Sequence, residues 1–182
     1  MKKMLLGIIG LGVLFALLGC QRAAKQMEEM QHPKHEKIED AQGILDKVLT
    51  HIAEHDVALS FENGELLDTE LGIPRFEIVP VLENKHFEEK DIVDGFIVRP
   101  VVEVENPRIL IVVEAVDKKA SLKLQAAMGK VKADQYQTYS EAGMWTTYLI
   151  DHNKTIRQGN FLIYVTWESA ADIVKIFEQH VR

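Results

Sequence analysis

After Lys2 and Lys3 the chain runs from Met4 to Leu18 without a polar side chain. These 15 residues fall short of the roughly 20 that a helix needs to cross the hydrocarbon core of a bilayer. The pattern therefore predicts the charged and apolar regions of a signal peptide, residues 1–19, ending in the small Gly19. Gln21 to Glu39 is rich in charged and amide side chains, with Pro33 and few large apolar residues. It cannot bury enough surface to offset its chain entropy and is expected to be a tether. A random coil of that length spans on the order of 25 Å, with Ala23 to Met30 transiently helical. From Asp40 the pattern changes: Ala41, Ile44, Leu45, Val48 and Ile52 recur at helical steps and predict a first core helix.

Leu66 to Leu71 is an ambiguous apolar stretch closed by Gly72 and Pro74, and Phe76 to Leu82 is expected to be extended. Gly95 to Val104 is dense in β-branched residues, Asn106-Pro107 interrupts it, and Ile109 to Val113 is a continuous apolar run. Two paired strands are predicted there. Asp117 can cap a following helix with Ala120, Leu124, Ala127, Met128 and Val131 on its apolar stripe, weakened centrally by Gly129. Thr155 to Arg157 and Phe161 to Thr166 flank Gln158-Gly159-Asn160 as a hairpin. Ser169 can cap a last helix whose Ile173, Phe177 and Val181 stand four apart. This succession predicts one α+β domain over residues 40–182, a two-layer sandwich with a mostly antiparallel sheet covered by helices on one face.

Removing the first 19 of 182 residues leaves 163, enough for one domain with a real core. Two of the 21 basic residues go with the signal, so 19 face 28 acids and the net charge becomes −9. Such a surface opposes binding to nucleic acid phosphates. Cys20 is the only cysteine, which excludes a disulfide framework, thiol catalysis elsewhere and cysteine-ligated metal.

Leu17-Leu18-Gly19-Cys20 resembles the lipobox of bacterial lipoproteins. The resemblance implies cleavage between Gly19 and Cys20, a diacylglyceryl and palmitate-type anchor on Cys20, and a place on the extracytoplasmic face of the cell membrane. Each buried methylene contributes roughly 0.8 kcal/mol, so two chains on one residue hold where one would exchange. Further on, Arg108-Ile109-Leu110-Ile111-Val112-Val113-Glu114-Ala115, then Arg157-Gln158-Gly159-Asn160-Phe161-Leu162-Ile163-Tyr164-Val165, then Ile176-Phe177, resemble an uncharacterised family of small bacterial lipoproteins. That likeness covers roughly Glu65 to Val181. It implies location and fold and transfers no activity or site.

Among candidate chemistries the sharpest is His51-Ile52-Ala53-Glu54-His55, which fits the H-x-x-E-H pattern of inverted zinc peptidases. His51 and His55, one helical turn apart, can grip one zinc ion with Glu54 as base. Helix geometry offers a second account, since both fall about 20° to 60° from Val48, at the rim of the buried stripe. His32 and His35 lie in the tether, where nothing fixes them, and His86, His152 and His180 are isolated in sequence. Glu83, Glu88, Glu89, Asp91 and Asp94 form an acidic patch that suits either calcium or a solvated face. Asp151 to Thr155 begins like a calcium loop, but Ile156 stands where its glycine belongs. Tyr136, Tyr139, Trp145 and Tyr148 cluster by the long helix as core contacts for the most part, with Tyr139 and Trp145 the candidates for touching a ligand or partner. No G-x-S-x-G elbow, S-x-x-K pair or phosphate-binding glycine loop is present after the signal. The expected function is a non-catalytic, membrane-anchored module that binds an envelope protein or surface ligand. The alternative is a zinc-binding lipoprotein or metal-dependent hydrolase using His51 and His55.

Overall fold

The computed structural model describes residues 40–101, 106–139 and 141–181, all within one compact unit. The signal, Cys20 and the tether, with His32 and His35, lie outside the described residues, as does the expected strand end at 102–104. Helix α1 (Ala41–His55) starts where Asp40 accepts a hydrogen bond from the Gly43 amide at 2.6 Å. A side-chain oxygen there satisfies one of the four donors that every helix start leaves open. Its stripe Ala41, Ile44, Leu45, Val48 and Ile52, joined by Leu49, is buried, as the spacing predicts.

Strands β1 (Leu59–Glu62) and β2 (Glu65–Asp68) then form a hairpin. Asn63 and Gly64, at φ 52° and 83°, give the left-handed pair that a two-residue turn requires. Strand β3 (Pro74–Pro80) follows, then two short 3₁₀ turns, and β4 (Ile92–Pro100) pairs with β5 (Ile109–Ala115). The long helix α2 (Lys118–Tyr139) begins with Asp117 accepting from the Ala120 amide at 2.7 Å. Its expected stripe is buried throughout. After it come α3 (Met144–Asp151), the hairpin of β6 (Lys154–Gln158) and β7 (Phe161–Thr166), and α4 (Ala170–His180). At α4 the Ser169 side chain makes no capping bond, and its carbonyl instead takes the Asp172 and Ile173 amides.

All pairings are antiparallel, in the order β1-β2-β3-β4-β5-β7-β6. The α+β class with an antiparallel sheet is therefore what the chain forms. The placement of helices is richer than a single covered face. In β5, Leu110 and Val112 join Ile163 and Val165 of β7 in a core with α1 and α4, whereas Ile111 and Val113 join Leu162 and Tyr164 in a second core with α2. Successive strand residues point to opposite faces, so a continuous apolar run such as Ile109 to Val113 requires cover on both. The outer hairpin contributes Leu59 and Leu66 to the first core alone.

Candidate functional site

The last turn of α1 gathers His51, Glu54 and His55, because residues three and four apart on a helix are neighbours. One donor atom from each lies within 4.8 Å of the other two. The imidazole centroids are 4.1 Å apart, with planes inclined at 37°. His55 Nδ1 stands 2.9 Å from the His51 carbonyl oxygen. A neutral ring in that contact donates from Nδ1 and keeps its Nε2 lone pair. His51 is half-buried, and its Nε2 is shielded from solvent with no hydrogen-bond partner among the described residues. Burial first, and then the neighbouring His55, push the His51 imidazole below its ordinary value, against the pull of Asp172 and Glu54. The Asp172 carboxyl, in the first turn of α4, is lowered chiefly by its pairing with Lys175 at 2.7 Å, and the two imidazoles add a smaller pull.

His55 also lines a cleft of about 320 Å³ at the corner between β7 and α4, opposite Arg108, Trp167 and Glu168. Arg108 donates to the Glu168 carboxylate from Nε at 2.8 Å and also from Nη2. Its guanidinium carbon lies 5.5 Å from the Trp145 ring centroid and 5.7 Å from that of Trp167, within the range of cation–π attraction. Trp167 is buried and meets Phe76 at 4.8 Å between centroids. Arg108 is thus held by a two-pronged carboxylate contact and one buried ring, and Trp145, 47% exposed, also lies against it. The chain matches no known protein family, no curated protein and no solved structure. What the site can do is argued from its own donors and surfaces.

The other candidates separate. The aromatic cluster is not core: Tyr136 and Tyr139 are half-buried, while Trp145 and Tyr148 are exposed. Tyr136 donates to Asp151 and Tyr139 to the Asn106 carbonyl oxygen at 2.9 Å, and Tyr148 stacks on His152 at 3.9 Å. The Tyr136 and Tyr139 hydroxyls hold those two rings at the rim, where α3, with Thr146, Leu149 and Ile150 buried, contacts α2. Met144, Trp145 and Tyr148 consequently line an open groove of about 760 Å³. The acidic patch also dissolves into separate ion pairs: Glu83 with Arg99, Glu88 with Lys90, and the buried Asp91 with Lys123 at 2.6 Å. Asp94 faces Glu114 across the β4–β5 ladder instead. His86 bonds Asp134 through Nε2 at 2.9 Å, and His180 Nδ1 meets the Ile176 carbonyl at 2.8 Å; neither ring is part of the His51 group.

Sequence reasoning did not single out Arg108, Trp167, Glu168 or Asp172. The one local signal for them is Thr166-Trp167-Glu168-Ser169 at a strand end, where a tryptophan and an acid precede a helix start. Their partners lie far off in sequence, and no local pattern links them.

Proposed function

We propose that the protein is a lipid-anchored, extracytoplasmic binding module of the bacterial cell envelope, without catalytic chemistry of its own. Cys20 is its membrane attachment, cut free after Gly19, and the α3 face is its contact with another envelope protein. The observation that carries the binding role is the exposure of Met144 at 91%, Trp145 at 47% and Tyr148 at 57% on one eight-residue helix. Large apolar side chains grouped this way on a surface mark an interaction site more often than a solvated face. Arg108 supports the reading, because a tryptophan held in place before binding loses less side-chain freedom on contact. Tyr139, whose hydroxyl is bonded to the Asn106 backbone, stands beside this face as a support and is not its centre.

The test is crosslinking in cells of the membrane-anchored protein, followed by affinity capture and mass spectrometry. An untagged strain and an anchor-only chain serve as controls. The expected result is a reproducible envelope partner that is lost on Trp145→Ala combined with Tyr148→Ala. Saturable turnover of peptide or glycan by the purified protein would overturn the non-catalytic reading.

A further inference from the structure

We propose that His51, Glu54 and His55 form a binding site for one borderline divalent transition cation, of which zinc is the type, at the end of α1. Zinc holds nitrogen and oxygen donors at about 2.1 Å, which at tetrahedral angles places them about 3.4 Å from one another. The three donors here lie within 4.8 Å without an ion between them. Glu54 is exposed, and a small rotation of its side chain narrows that gap; His51 is the half-buried member.

His55 donates from Nδ1 to the carbonyl four residues back, as His152 and His180 also do, and this leaves its Nε2 to coordinate. One feature beyond proximity points to a cation. His51 Nε2 is shielded from water and has no partner among the described residues. Buried polar atoms are nearly always paired, and an orphan calls for an explanation. A cation reached through this nitrogen would supply the missing partner. The charges around the pair agree, since Glu54 attracts positive charge there and Asp172, although paired with Lys175, adds to it.

The donor set selects the class of ion. Two imidazoles and one carboxylate suit Zn²⁺, Co²⁺, Ni²⁺ or Cu²⁺, whereas Ca²⁺ and Mg²⁺ demand oxygen shells that this turn does not offer. Three protein donors leave at least one position of a tetrahedral ion for water or for a donor from outside the chain. Because His55 is also a wall of the Arg108 cleft, an outside donor reaching the ion there would be flanked by Trp167 and Glu168. The site does not depend on the anchoring or on the α3 contact, and it stands or falls separately from them.

The test uses the full chain in detergent, titrated with Co²⁺ followed by its visible absorption, with displacement by Zn²⁺ and metal analysis after dialysis. One ion per chain is expected, with the intense absorption of low-coordinate Co²⁺. His55→Ala, at an exposed position, should weaken binding at least about tenfold, and Glu54→Gln should weaken it less. His32→Ala/His35→Ala should leave the affinity unchanged, and unaltered far-ultraviolet circular dichroism checks that each variant is folded. No stoichiometric binding, binding indifferent to His55→Ala, or binding abolished by the tether substitutions would each overturn the proposal.

Discussion

Tyr164 has no exposure to solvent, and its hydroxyl donates to Gln135 Oε1, which also accepts from Thr166 Oγ1 at 3.3 Å. Gln135 in turn donates to the Pro107 carbonyl at 2.7 Å, so one small polar network ties α2 to β7 and to the approach to β5. Burial pushes the phenol up to about 12, because an ionised oxygen there would lose its hydration. The folded chain keeps this proton where the unfolded chain, with a phenol near 10, gives it up. The stabilisation is therefore complete below pH 10 and is lost as pH rises towards 12, by about 3 kcal/mol. Chemical denaturation between pH 9 and 12 should show that slope, and Tyr164→Phe should flatten it. At neutral pH the same variant should lose about 1 kcal/mol, since Gln135 Oε1 keeps only the longer bond from Thr166. None of this was legible in the sequence, where Tyr164 reads only as one more apolar position of a strand. Arg108 is a similar case. Its carboxylate partner Glu168 is 60 residues away, and its rings belong to α3 and to the end of β7. Side chains such as these are specified by the fold rather than by their neighbours, whereas His51, Glu54 and His55 share a single helical turn and could be read directly.

Helix α2 and strand β4 each carry a glycine, with opposite consequences. Gly129 sits exposed in the middle of α2, and a Cβ there would meet nothing within 4 Å. Gly129→Ala should stabilise the protein by about 1 kcal/mol, the usual difference between the two residues in a helix interior. Thermal denaturation at neutral pH reads it directly. At Gly95 a Cβ would fall 2.9 Å from Val113 Cγ2 and from Val81 Cγ1, and 3.1 Å from the Val112 carbonyl oxygen. Gly95→Ala should cost about 1 to 3 kcal/mol by overpacking, seen as a lower denaturation midpoint. Elements with a sustained period were legible: α1, α2 and α4 through their stripes, β4 and β5 through β-branched density, β6 and β7 through Gly159, which adopts φ 61°. The hairpin of β1 and β2 was missed although Asn63-Gly64 signals it, because strands of four residues offer too few positions for alternation to register. The helix α3 was missed for a different reason. Its apolar residues face both α2 and solvent, which erases the one-sided pattern by which a helix is recognised.

Taken whole, the described chain buries two cores against one sheet and leaves its largest exposed aromatic group on α3. Among the described residues no helix is long and apolar enough to cross a membrane. In the proposed function attachment falls on Cys20, and a net charge of −9 after Gly19 gives the chain no net electrostatic affinity for anionic lipid to fall back on. Two acyl chains at roughly 0.8 kcal/mol per buried methylene supply an attachment that salt does not weaken. Cys20→Ala should then lose metabolic lipid label and the shift in mobility that accompanies it. The labelled wild type should stay with membranes through a high-salt wash and leave them only in detergent. Because the described elements begin at Ala41, the variant's domain should melt at the same temperature as the wild type, which separates a lost anchor from a lost fold. Lipid label persisting on Cys20→Ala would reject the lipobox reading while leaving both cores, the α3 face and the His51 turn to be judged on their own measurements.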